Sequence, residues 1–98
     1  MNQVGENRYT VTSLDRAFDV LEVLAERDDG QTLADLSRIT DIPKSTLFRI
    51  LSTLHDRNCV SLDVDTKKYS LGLKLRELGS AFIEKTTLDS AAAPFMRD

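Results

Sequence analysis

Apolar residues recur with a helical period in four segments of the chain and with a strand period in one short stretch. The clearest helical segment spans residues 43–57, where four apolar residues fall at positions i, i+3, i+4 and i+7 and therefore share one face. These residues are Leu47, Ile50, Leu51 and Leu54. Pro43 suits the first turn of a helix, and Asn58 suits its end. The pattern predicts a helix with a single buried stripe.

A first helix is predicted over residues 14–27, with Ser13 as its N-cap. Its predicted buried stripe is Leu14, Ala17, Phe18, Leu21, Leu24 and Ala25. Val20 and Val23 widen the apolar surface beyond that stripe, which leaves area for a second partner such as another subunit. Gly30 supplies the positive φ that ends the segment.

A short helix is predicted over residues 33–40, and its inward positions are Leu33, Leu36 and Ile39. Thr32 and Asp35 have the spacing of a capping box. Residues 40–42 then form a tight connection to the helix that follows Pro43, and Ile42 fills the turn. Two helices joined in this way indicate a helix-turn-helix motif.

A β-hairpin is predicted directly after Asn58. Val60, Leu62 and Val64 alternate with polar residues as in a half-buried strand, residues 65–68 form a polar turn, and residues 69–71 return. A hairpin in this position is a wing.

Gly72 frees a further long helix, whose apolar stripe is Leu75, Leu78, Phe82 and Ile83. The predicted fold is therefore mainly α: a winged helix-turn-helix with a three-helix core and a β-hairpin wing, followed by a further long helix. We expect a flexible arm at residues 1–12, the winged helix-turn-helix at 13–72, and the last helix within 73–98.

The polar face of the 43–57 helix carries the candidate chemistry. Its residues are Lys44, Ser45, Thr46, Phe48, Arg49 and Ser52. Hydroxyls, an amine and a guanidinium on one face are typical of a helix that binds in a DNA major groove. Arg49 suits either a bidentate contact to guanine or a grip on a phosphate. Phe48 suits either a thymine methyl group or packing beneath the wing.

Three further cations are candidate DNA contacts. Lys67 and Lys68 lie at the predicted wing tip, where they would meet the phosphate backbone, although a charged hairpin tip is often simply solvated. Arg8 in the N-terminal arm has the chemistry to reach a phosphate or the minor groove, although an unpatterned terminus is more often disordered.

The 98 residues carry a net charge of −3, which by itself argues against nucleic acid. The charge is unevenly distributed, however. Residues 14–35 hold seven acids against two bases, whereas residues 43–72 hold five bases against three acids. A single Cys and a single His exclude a disulfide within the chain and a Cys/His metal site, so we expect no cofactor. Neither a membrane span nor an export signal is evident, which favours the cytoplasm.

Four sequence blocks resemble the N-terminal DNA-binding domain of IclR-type bacterial transcriptional regulators. They are Ser13–Ala17, Leu33–Ser37, Ile42–Leu51 and Lys68–Gly72. The resemblance implies a winged helix-turn-helix DNA-binding domain at residues 13–72, and a linker helix with the start of a C-terminal domain that binds a small-molecule effector at 73–98. It also implies dimers that often pair into tetramers and bind pseudo-palindromic operator DNA. Asp41 and Asn58 stand where the family usually has glycine; both types tolerate positive φ.

The sequence admits two other functional classes. The acidic total favours a winged helix used for contact with another protein and not with DNA. An enzyme is rejected, because the sequence has no nucleophile–base pair, glycine-rich phosphate loop or metal-ligand spacing.

Overall fold

The computed structural model describes residues 9–88, and its elements follow in the predicted order. They are α1 (Thr12–Glu26), α2 (Leu33–Thr40), α3 (Lys44–Asp56), β1 (Val60–Asp63), β2 (Lys68–Leu71) and α4 (Leu73–Leu88). The architecture is a mainly α winged helix with a two-stranded antiparallel wing. Arg8 and most of the predicted arm, like residues 89–98, lie outside the described residues. None of the described helices is long and apolar enough to cross a membrane.

One apolar cluster joins the three helices of the core to the wing. Four side chains are completely or almost completely buried, one or two from each helix of the core: Val20, Leu36, Leu47 and Leu51. Leu24, Ile42, Val60 and Tyr69 complete the cluster. Because α3 contributes two of the four most buried side chains, its orientation is fixed from inside the domain.

The predicted start and buried stripe of α1 are partly wrong. Val11, and not Ser13, is the N-cap, and it provides no side-chain hydrogen bond. Val20 points to the centre of the core, whereas Leu14 and Phe18 are 58% and 56% exposed. Apolar residues cover more than one face of this helix, so its period did not determine which face packs inward.

The capping box that begins α2 is confirmed. The backbone N–H of Asp35 donates to the Thr32 hydroxyl (3.1 Å), and the backbone N–H of Thr32 donates to the Asp35 carboxylate (3.3 Å). The Thr32 backbone N–H, then the Thr32 hydroxyl and the Arg38 guanidinium, lower the pKa of Asp35 below its usual value of 3.8. In the following turn Asp41 adopts φ 61°, and Ile42 is buried, both as expected.

The wing is tied to the segment between α1 and α2. In the hairpin Leu62 pairs with Tyr69 and Asp63 with Lys68. Gln31 forms an isolated bridge with Tyr69 through two backbone hydrogen bonds of 2.9 and 2.7 Å. The sequence pattern had not indicated this third backbone segment beside the wing.

The predicted bounds of the hairpin turn are wrong by one residue at each end. Val64, expected to face inward, is 70% exposed in the turn, and Lys68 lies in β2. The Asp63 carboxylate accepts the backbone N–H groups of Asp65 (2.9 Å) and Thr66 (3.3 Å). These local hydrogen bonds end β1 before Val64.

Gly72 fits into a tight space where α3, β1 and α4 meet. Its N–H donates to the Cys59 carbonyl (2.8 Å), and the Lys74 N–H donates to the Asn58 carbonyl (2.9 Å). A Cβ at Gly72 would collide with the Asn58 carbonyl oxygen and lie 2.8 Å from the Val60 nitrogen. A Cβ at Gly79 in α4, by contrast, would meet no atom within 4 Å in residues 9–88 other than its chain neighbours and the backbone of its own helix.

The difference in packing around the two glycines predicts that replacement by alanine has opposite effects on stability at the two positions. Gly72→Ala forces backbone atoms apart and should lower the free energy of unfolding by about 1–3 kcal/mol. Gly79→Ala removes a flexible residue from an open helix position and should raise it by about 0.5–1 kcal/mol. Urea unfolding followed by circular dichroism measures both. Equal effects of the two substitutions would contradict the close packing at Gly72.

The capping box predicts a pH-dependent contribution to stability. Because folding lowers the pKa of Asp35, its ionised form stabilises the fold above the usual value, and this contribution disappears as the pH falls through the folded value. Asp35→Asn should therefore lower the melting temperature at pH 7, and the difference from wild type should shrink at acidic pH. A difference that is constant with pH would argue against an ionic role for Asp35.

Candidate nucleic-acid interface

The predicted buried stripe of α3 is confirmed, and it determines which residues face outward. Leu47 and Leu51 are 0% exposed and Ile50 is 7% exposed. Leu54 is partly buried against the core. The exposed residues of the opposite side are Lys44, Ser45, Phe48, Arg49 and Ser52, and Thr46 is half-buried. The structure thus brings the six candidate residues of this helix together on one surface.

The first turn of α3 is open. Pro43 is the N-cap, with φ −58° and ψ 144°, and it makes no side-chain capping hydrogen bond. The backbone N–H of Leu47 donates to the Pro43 carbonyl (2.9 Å). This is the first i→i−4 hydrogen bond of α3, so the N–H groups of Lys44, Ser45 and Thr46 have no acceptor within the helix. The positive end of the α3 dipole therefore coincides with Lys44, Ser45 and Thr46, a combination that favours anions.

Arg49 lies on the side of α3 that faces α1. A shallow groove separates the two helices, and its lining is Ser13, Leu14, Ala17, Thr46, Arg49, Ile50, Thr53 and Leu54. The hydrophobic pattern did not indicate Ser13 as a neighbour of Arg49. Thr53 follows Arg49 by four residues, a helical spacing that places the two side by side. Its hydroxyl donates to the Arg49 carbonyl (3.1 Å).

The Arg49 guanidinium is not neutralised by the domain. Within residues 9–88 the ion pairs join Arg38 to Asp35 (3.2 Å) and Lys74 to Glu77 (3.9 Å). Neither pair involves a cation of α3 or of the wing. Their positive charge is therefore available to an external anion.

Phe48 is exposed on the outer surface of α3. Its exposed fraction is 55%, and it is absent from the partly buried side chains that pack on the core. Of the two alternatives that the sequence left open for Phe48, this exposure favours the contact with a thymine methyl group over packing beneath the wing.

The two wing lysines occupy different environments. Lys67 is exposed in the turn with φ 62°. Lys68 is half-buried in β2 opposite Asp63, and its Cβ lies beside the backbone of Gly30. Asp63 and Asp65 add two negative charges to the same hairpin, so the wing is close to neutral overall.

A helix-turn-helix whose second helix turns cations and hydroxyls outward, followed directly by a hairpin, defines a winged-helix DNA-binding domain. A family model described as the IclR helix-turn-helix domain matches residues 13–63. The chain belongs to the IclR family of transcriptional regulators, which are not enzymes.

Similar proteins support the same family. The chain is 33% identical over 93 residues to the transcriptional regulator BhcR of Paracoccus denitrificans, covering 95% of this chain and 33% of that protein. It is 32% identical over 85 residues to the transcriptional repressor AllR of Escherichia coli K12, covering 87% and 31%. The crystal structure of Pseudomonas aeruginosa HmgR matches with a TM-score of 0.71 at 33% identity, covering 86% and 36%. The chain thus spans about a third of the length of these relatives.

Proposed function

We propose that the chain binds operator DNA as part of a dimeric, ligand-responsive regulator, with α3 in the major groove and the tip of the wing, the turn at residues 64–67 with the adjacent Lys68, on the phosphate backbone. The observation that carries this proposal is the orientation of α3: Leu47 and Leu51 are fully buried, and the cations and hydroxyls opposite them are exposed. Such a regulator would act in the cytoplasm, where bacterial DNA lies.

The contacts divide by position on α3. Lys44, Ser45 and Thr46 surround the open first turn, where backbone phosphates are favoured. Arg49 lies beside α1, and in helix-turn-helix proteins the helix preceding the recognition helix crosses the DNA backbone. Together with the groove between α1 and α3, this supports a phosphate contact for Arg49 more than a guanine contact. Ser52 would donate a hydrogen bond to a base edge or to a sugar–phosphate oxygen.

Two exposed apolar surfaces support dimerisation. Leu14 and Phe18 form one on α1. On α4 every residue from 76 to 85 is exposed, and these include Leu78 and Ile83. A dimer would place two copies of α3 on half-sites about 34 Å apart, one turn of DNA, and would require a pseudo-palindromic operator.

We propose that effector binding and a tetrameric state depend on a further domain outside the 98 residues. The relatives BhcR and AllR are about three times as long as the matched chain, which supports a further domain after the linker helix. We propose that a small-molecule effector binds there.

Truncation of Arg49 is expected to weaken DNA binding by about 1–3 kcal/mol. If Arg49 grips a phosphate, Arg49→Ala should also reduce the slope of log K against log salt by about 1 and keep the sequence preference. If Arg49 binds guanine, the variant should instead lose discrimination at one base pair. Mobility-shift titrations against single-base operator variants at several salt concentrations distinguish these results, and unchanged affinity would remove Arg49 from the interface.

The two wing lysines provide a matched pair. Lys67→Ala should reduce the salt slope by about 1, because Lys67 projects from the turn and would release one counterion on meeting a phosphate. Lys68→Ala should have a smaller effect, because Lys68 is half-buried beside Asp63. The same titrations on random duplex test the rival class as well: a domain that contacts proteins instead of DNA would hardly bind the duplex even at low salt.

A further inference from the structure

Phe48 is the one large apolar side chain on the outward surface of α3. Ser45 precedes it by three residues and Ser52 follows it by four, so the three side chains lie on successive turns of one helix face. All three are exposed. Lys44, also exposed, lies one turn before Phe48. The ring therefore interrupts a surface that is otherwise made of hydroxyls and an amine.

Among the described residues, the apolar cluster of the domain does not include this ring. Phe48 is 55% exposed and does not belong to the core or to the side chains that pack on it. It also does not line the groove in which Arg49 lies. An aromatic ring has no hydrogen-bond donor or acceptor for the polar edges of base pairs. Its complement in a major groove is the C5-methyl group of thymine, the apolar feature of the base edges.

We propose that Phe48 is a specificity-determining residue that recognises a 5-methylpyrimidine, normally thymine, at one position of each half-site. This proposal rests on the proposed function, because it requires α3 to lie in the major groove. In this proposal Phe48 recognises a base, whereas the first turn of α3 and Arg49 bind the phosphate backbone.

The test removes the methyl group from the DNA and leaves the protein unchanged. Duplexes are first selected by wild-type protein from a random-sequence pool. Each thymine of a selected duplex is then replaced in turn by deoxyuridine, which forms the same base pair without the methyl group. At one thymine position in each half-site, we expect the single replacement to weaken binding about 4-fold. This ratio corresponds to the ~0.8 kcal/mol of one buried methyl-sized group. Replacements elsewhere should have little effect.

The protein side of the test is Phe48→Ala. This variant should bind the thymine and deoxyuridine duplexes equally at the position identified with wild type, so the 4-fold ratio should fall to about 1. Phe18→Ala is the matched control, because Phe18 is as exposed as Phe48 (56% against 55%) but lies on α1. It should keep the 4-fold ratio whatever its effect on total affinity.

The outcomes separate the two proposals. A pool from which wild-type protein enriches no sequence would overturn the proposed function and this inference with it. Enriched duplexes that bind equally well with thymine and with deoxyuridine at every position would overturn the inference alone. Persistence of the 4-fold ratio in Phe48→Ala would assign the methyl contact to another residue and would also overturn it.

Discussion

The burial of Leu47 and Leu51 in one cluster with Val20 and Leu36 determines the orientation of α3. Full burial of a leucine side chain stabilises a fold by about 1.5–3 kcal/mol. If α3 turned so that Arg49 faced inward, this contribution would be lost and an unpaired guanidinium would be buried, which is strongly unfavourable. The packing of Leu47 and Leu51 in the core is therefore sufficient to keep the polar face of α3 exposed.

Sequence periodicity predicted α3 well and α1 poorly, for the same physical reason. The apolar residues of α3 occupy one stripe, so only one face can pack inward. Those of α1 cover more than one face, and the choice between Val20 and Phe18 is made by packing against α2, α3 and the wing. A hydrophobic period identifies an amphipathic helix but cannot choose between two apolar faces.

The hydrophobic pattern also could not predict backbone pairing between residues that are far apart in the sequence. Gln31 and Tyr69 are 38 residues apart, and neither residue type indicates that the two backbones pair. The candidate interface shows the same limit. The sequence identified Arg49 and Phe48 as candidates, but only the folded domain shows that Arg49 lines the groove between α1 and α3 and that Phe48 does not. Side-chain surroundings in a site depend on elements that are distant in sequence.

The junction at Asn58 joins the end of α3 to the start of α4. The carbonyl of Asn58, the left-handed residue just after α3, accepts the N–H of Lys74 in the first turn of α4. Residues 76–85 of α4 are exposed, so this hydrogen bond lies at the packed end of a helix that is otherwise largely in solvent. A change in the direction of α4 at its first turn would therefore have to break the bond or move the residue that follows the end of α3.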